Sequence, residues 1–223
     1  MTALGWLTRS LADVPRDDEW LSPRERAALR GFPIEKRRRE WRLGRFAAKA
    51  AAGSWLGVEP ARVEVLAAAD GAPIAHLDGE PAPVAVSLSH RAGRALAVAG
   101  PATAAIGSDV ELVEPRSGAF VRGWLASPER KLLESLPARR RPVGANLMWS
   151  AKEAAAKVRR EGLRLDLRDA AVEAAGVAEA RDGWRPLLVR WGDGERVAGW
   201  WREEAEWVMA VLAQPAPDQP RRI

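Results

Sequence analysis

The sequence contains no cysteine and no tyrosine, and only two histidines and three phenylalanines in 223 residues. The first absence removes disulfide frameworks, thiolate zinc sites and cysteine nucleophiles together. The scarcity of histidine excludes a histidine-rich metal site. Long apolar runs are missing too: none approaches the roughly 18 residues needed to cross a bilayer. The N-terminus MTALGWLTRSLADVPRDDEW lacks the cationic start and apolar run of a signal peptide. The expectation is a cytoplasmic protein with no membrane partner. Tryptophan is abundant where tyrosine is absent, and indoles at core and interface positions account for it.

Arginine supplies most of the formal charge of +5, a balance that suits phosphate ligands, acidic partner proteins and nucleic acid alike. The basic run EKRRREWRLGR, residues 35–45, could serve as a nucleic-acid patch. No recognised nucleic-acid motif surrounds it, and Gly44 and Arg45 lie on the portion of the run that would face the rest of the fold, so no nucleic-acid partner is expected. The length admits one large domain or two small ones.

SPRERAALRG opens with an N-cap serine and a first-turn proline and closes on glycine, which predicts a short helix over 22–31. A second helix is predicted from Glu35 to Leu56, with Trp41, Ala48, Ala52 and Trp55 at three- and four-residue spacing. RVEVLA alternates like a strand, ADGAPIA carries turn chemistry, and PVAVSLSH and RALAVAG read as strands joined at His90–Gly93. The second half repeats this order. Trp149, Glu153 and Lys157 match Trp41, Arg45 and Lys49 at an offset of 108 positions, and DAAVEAA and a terminal hairpin follow. An internal duplication is therefore expected, giving two similar α+β lobes that meet near Pro101–Ala105: residues 1–104, residues 105–212, and a Pro-rich tail, 213–223, expected to be disordered.

Two patterns carry chemistry. In IGSDVELVEP, an extended strand puts Asp109 and Glu111 on one face and Ile106, Ser108 and Val110 on the other. Adjacent carboxylates destabilise a strand unless a cation or a proton lies between them. In WSAKEAAAKV, Trp149, Glu153 and Lys157 share one helical stripe, where Glu153 and Lys157 could equally form a surface pair worth roughly 0.3–0.5 kcal/mol. Together the three acids make an oxygen-rich, sulfur-free set that suits a hard cation such as Mg²⁺. His90, flanked by Ser87, Ser89, Arg91 and Arg94, is placed to receive an anion.

In this order, SLSH (87–90), IGSDVE (106–111) and WSAKEAAAK (149–157) resemble the signature of the two-lobed, surfactin-type class of 4′-phosphopantetheinyl transferases; DGAP (70–73), REWRLGR (39–45) and WLASPER (124–130) are similar to weaker family signals. The resemblance covers roughly residues 30–170. It implies an α+β fold of two lobes related by a pseudo-twofold axis, each a small mainly antiparallel sheet on a long helix, with the active site in the cleft between them. It also implies a monomer that moves phosphopantetheine from coenzyme A to a serine of an apo acyl, peptidyl or aryl carrier protein, with Mg²⁺, or Mn²⁺ as an alternative.

Carried over residue by residue, Asp109, Glu111 and Glu153 would hold the metal, and Glu153 and Lys157 would be catalytic. Coenzyme A would be met by Arg39, Arg45, the Asp70–Gly71–Pro73 turn, Ser89, His90, Asp109, Lys152, Glu153 and Lys157. Three positions depart from the family pattern. Ser108 is expected to change packing only, Arg91 to touch a phosphate or alter access, and Arg160 to replace the first glycine of Gly-x-Gly-Leu, leaving Gly162–Leu163. A coenzyme A-binding relative with weak or no transfer, and another Mg²⁺-dependent phosphotransferase, remain as alternatives.

Overall fold

Alternate residues of the strand RALAVAG are all buried, but on two different cores: Ala95, Ala97 and Ala99 in one, Leu96 and Val98 in another. That division organises the fold. In the computed structural model, which describes residues 2–161, 165–175 and 183–223, two α+β lobes stand back to back. The first holds β1 (Gly5–Ser10), α1 (Pro23–Arg30), α2 (Glu35–Leu56), β2 (Val63–Ala67), β3 (Pro73–Leu77), β4 (Glu80–Pro81), β5 (Val84–Arg91) and β6 (Arg94–Pro101). The second holds β7 (Ala105–Leu112), α3 (Gly118–Trp124), α4 (Ser127–Ser135), α5 (Arg141–Arg159), β8 (Ala170–Ala175), β9 (Trp184–Trp191), β10 (Arg196–Glu204) and β11 (Trp207–Gln214), and β12 (Arg221–Arg222) returns to the first.

The sheets run β12-β1-β6-β5 and β7-β11-β10-β9-β8, with a small β2-β3-β4 sheet in the first lobe. Helix α2 lays Leu43, Ala47, Ala48, Ala51 and Ala52 on one sheet, and α5 lays Leu147, Ala151, Ala154, Ala155 and Val158 on the other. The outer faces of both sheets then close on each other in a third core built on Trp6, Leu96, Val98, Ile106, Val110, Met209 and Val211. Trp6 and Trp184 meet edge to face across it at 5.3 Å. Among the described residues no helix is long and apolar enough to cross a membrane.

The C-terminal residues are ordered, which corrects the expected disordered tail. Ala213 and Gln214 complete β11, and the chain then runs along the free edge of β1. The amides of Asp218, Arg221 and Ile223 donate to the carbonyls of Thr2, Leu4 and Trp6 at 3.0, 2.9 and 3.0 Å. An edge strand leaves a row of unpaired backbone groups, and none of the tail's prolines, Pro215, Pro217 and Pro220, occupies a position that must donate.

The duplication is visible in a buried motif present twice. Ser22 and Glu25 form a capping box on α1. The other Glu25 oxygen accepts from Val65 N at 2.8 Å, while Lys49 Nζ pairs with Glu25 at 2.8 Å and donates to Trp20 O. In the second lobe Glu129 accepts from Ala126 N and Val172 N, and Lys152 Nζ pairs with Glu129 at 2.7 Å and donates to Trp124 O. Both helices end on a left-handed residue, Gly57 and Arg160. Lys49 therefore answers to Lys152 and Gly57 to Arg160, an offset of 103 in place of the 108 read from the match of Trp149, Glu153 and Lys157 to Trp41, Arg45 and Lys49.

Lys152 is fully buried in this pair. It is a structural residue and not the expected coenzyme A ligand. Removing one partner of a buried pair strands the other charge, so Lys152→Met should lower stability by about 3–5 kcal/mol, read as a lower urea midpoint at unchanged slope.

Candidate active site between the lobes

Gly107 has no room for a side chain: a Cβ there would lie 1.8 Å from the carbonyl oxygen of Ala154. Strand β7 thus lies directly against α5, and the next residues on the same strand face, Asp109 and Glu111, are carried beside Glu153 and Lys157. From the other lobe β5 comes alongside. The Ser108 amide donates to Ser87 Oγ at 2.9 Å, and the two hydroxyls are 3.1 Å apart. Ser108 therefore joins the lobes by hydrogen bonds, more than the packing change expected of it.

The result is a cavity of about 500 Å³ at the lobe junction. The end of β5 contributes Ser89, His90 and Arg91; the second lobe contributes Asp109, Glu111, Glu153 and Lys157, with Arg116, Phe120 and Trp149. The Ser89 hydroxyl donates to Asp109 Oδ1 at 2.7 Å. Lys157 Nζ donates to Ser108 O at 2.7 Å and to Asp109 Oδ1 at 3.1 Å, so its ammonium turns to the strand and not into a surface pair with Glu153. Arg116 grips Glu111 at 2.8 Å, and Arg91 lies 3.6 Å from the same oxygen.

Three carboxylates thus face three cations, but unevenly: Asp109 has Lys157 and Glu111 has Arg116, while Glu153 has no ion pair among the described residues. Burial, with Asp109 and Glu111 nearby, pushes the Glu153 carboxyl above its ordinary range, against the opposing pull of Lys157. Burial and Asp109 likewise raise Glu111, with Arg116 and Arg91 opposing. Burial holds His90 below the usual imidazole range; Lys157 and Arg37 add to this and Glu40 opposes it.

The donor set fits a hard divalent cation in chemistry. Asp109 Oδ2 is buried without a hydrogen-bond partner, and two more carboxylates line the same cavity. Among the described residues no three acidic or histidine side chains close into a ready-made ion cage. Magnesium needs none, since it usually takes one or two carboxylates and completes its shell with water and substrate phosphate.

Several expected ligands lie elsewhere. Arg39 is exposed on α2 and away from the cavity. The residues of that helix that act on His90 are Arg37 and Glu40, and Gly44 packs against Leu88 and His90. Arg45 is buried over the Trp41 ring at 4.8 Å, inside the first lobe. The Asp70–Gly71–Pro73 turn is outside the cavity lining as well. Asp70 makes a two-pronged pair with Arg160, Nε to Oδ2 at 3.0 Å and Nη2 to Oδ1 at 3.2 Å, which ties the turn to the end of α5 one turn beyond Lys157. Arg160 keeps the left-handed cap that a glycine would favour, at φ 56°; Gly162–Leu163 lie outside the described residues.

Arg116 and Phe120 were not singled out by the sequence. Nothing marks Arg116 among many arginines, and only its three-dimensional partners reveal it.

Residues 105–212 match the model of the 4′-phosphopantetheinyl transferase superfamily, and residues 25–100 match that of the 4′-phosphopantetheinyl transferase N-terminal domain. No curated protein matches the chain. The two models divide the chain where β6 leaves the first sheet and β7 opens the second. The chain belongs to the 4′-phosphopantetheinyl transferase superfamily.

Proposed function

We propose that this chain transfers the 4′-phosphopantetheine group of coenzyme A to a serine hydroxyl of an apo acyl, peptidyl or aryl carrier protein and releases adenosine 3′,5′-bisphosphate. The observation that carries this reading is the isolated carboxylate: Glu153, on the cavity wall beside two acids that already have cations, has none of its own among the described residues. A raised carboxyl beside a cavity suits a general base better than an ordinary one, because its proton affinity lies closer to working pH.

In the transfer the serine oxygen bonds to the β-phosphorus of the diphosphate as the bond from that phosphorus to the bridging oxygen breaks. Glu153 takes the serine proton. Lys157, held by Ser108 O and Asp109, keeps its ammonium at the cavity wall to meet the charge that develops on the departing phosphate. His90, held below the usual imidazole range by burial, can donate to a phosphate, and an arriving anion favours its protonated form together with Glu40 and against Lys157 and Arg37. A divalent ion, when bound, supplies charge neutralisation on the diphosphate, and Asp109, Glu111 and Glu153 are the residues that would hold it. The surplus of arginine favours encounter with an acidic carrier and makes the rate fall with salt.

The decisive experiment incubates the protein with coenzyme A, Mg²⁺ and a panel of apo carriers, and weighs the carriers intact. Gain of the phosphopantetheine mass by one carrier class names the substrate; no gain under conditions where a known transferase succeeds refutes the reading. Glu153→Gln should cut the rate at least about 100-fold.

The same variant should be more stable than the parent at neutral pH. A carboxyl raised in the folded state binds more protons there than in the unfolded chain, so its contribution to stability falls as pH rises from the ordinary carboxylate range through the folded value. Glutamine removes that penalty. A melting-temperature gain of about 2 °C at neutral pH, vanishing below the carboxylate range, is expected in the metal-free protein; equal melting curves at both pH values would refute it.

A further inference from the structure

Glu111 and α5 are connected by a chain of contacts that the transfer chemistry above does not use. Arg116 lies in the loop between β7 and α3, and its side chain is only 14% exposed. Its Nη2 donates to Glu111 Oε2 at 2.8 Å, and its Nε donates to Asn146 Oδ1 at 2.7 Å. Asn146, on α5, is fully buried, and its amide nitrogen donates to the carbonyls of Glu114 and Pro142, each at 2.7 Å. Phe120 supports the guanidinium from below at 4.8 Å. The Asn146 amide thus uses both its oxygen and its nitrogen, and Arg116 Nη1 lies 3.7 Å from Glu114 Oε1, so the position of Arg116 is set from the helix and not by its own flexible stem.

The close guanidinium contacts to Glu111, from Arg116 and Arg91, both fall on Oε2. We propose that Arg116, braced by Asn146, is a positioning residue that fixes Glu111 through Oε2 and leaves Oε1 directed at the cavity for the cation. The proposal rests on the reading of the cavity as a cation-assisted phosphoryl-transfer site. It differs from simple charge compensation, which any cation could provide. Two of the guanidinium's nitrogens, in fixed relative geometry, hold two acceptors on different elements, and an ammonium on a flexible stem cannot reproduce that fork.

The test uses variants that keep the charge. Arg116→Lys retains it without the fork, and Asn146→Ala retains Arg116 without its brace. Mn²⁺ affinity is measured by calorimetry on the full chain without coenzyme A, alongside transfer rates, the Mg²⁺ dependence of transfer, and melting curves. Disturbed outer partners of a metal ligand typically weaken metal binding or activity by roughly 10–100-fold. Both variants are therefore expected to bind Mn²⁺ about tenfold more weakly and to need more Mg²⁺ for transfer, with KM for coenzyme A within threefold of the parent.

Arg116→Lys that matches the parent in Mn²⁺ affinity and Mg²⁺ dependence overturns the proposal, because charge alone then suffices. A lower melting temperature with unchanged Mn²⁺ affinity overturns it too, by making the network merely structural. So does a parent protein that binds no Mn²⁺. A parent that binds Mn²⁺ yet modifies no carrier sinks the transfer reading alone, and the calorimetry still decides the role of Arg116.

Discussion

The contact between the backbone of β7 at Gly107 and that of α5 at Ala154 is the constraint on which the rest of the site depends. No other residue type leaves the helix this close to the strand, because the Cβ would enter the van der Waals radius of a carbonyl oxygen. At that distance the short Asp109 side chain reaches the ammonium of Lys157, and the Glu153 carboxylate feels both strand acids. A helix standing one side chain further off would leave Asp109 and Glu111 as an unrelieved like-charge pair on a strand. The glycine is thus a condition for the electrostatics, not a loop residue that happens to precede them.

The site also depends on the way the sheets are covered. Antiparallel sheets often leave one face to solvent, but here each sheet has a helix on one face and the other lobe's sheet on the opposite face. The lobes are therefore joined by a true core, and the cavity forms where that core ends, at the tips of β5 and the middle of β7. The C-terminal residues reinforce this union by giving the free edge of β1 its backbone partners. Burial beside this interface raises two of the acids, Glu111 and Glu153, and a carboxyl raised on folding lowers stability where it ionises, a cost often met at functional sites.

Much of this could be read in the residues beforehand. Alternation in IGSDVE correctly placed both acids on one face, the N-cap serine and first-turn proline of SPRERAALRG correctly opened a helix, and the two carboxylate motifs pointed to one family. What failed depended on distant partners. Arg45 and Lys152 were expected to meet coenzyme A, but each is buried against its own lobe, one over Trp41 and one onto Glu129. Proline in the tail suggested disorder, while the unsatisfied edge that recruits the tail lies more than 200 positions earlier in the chain. Arg116 and Asn146 have no local signature at all, since their meaning lies in a contact between a loop and a helix 30 residues apart.

The duplication shows the same limit. Alanine-rich helices can be slid along each other with little change in score, and an error of five residues rotates the comparison by about 140° around the axis. At the register of the residue match Glu153 faced Arg45 and Lys157 faced Lys49, as though each lobe had carried a version of the site. The buried pairs remove that freedom, because Glu25 and Glu129 fix Lys49 and Lys152 from outside the helices. In the corrected register Glu153 stands opposite Ala50 and Lys157 opposite Ser54. Both lobes keep the frame, namely the capping glutamate, the buried lysine, the tryptophan carbonyl and the left-handed cap, while Glu153 and Lys157, the proposed base and leaving-group cation, have no like residue at the matched positions of the first lobe. The first lobe supplies a strand end with His90 instead, so the cavity is asymmetric by necessity: like halves furnish the walls, and unlike residues at matched positions furnish the chemistry.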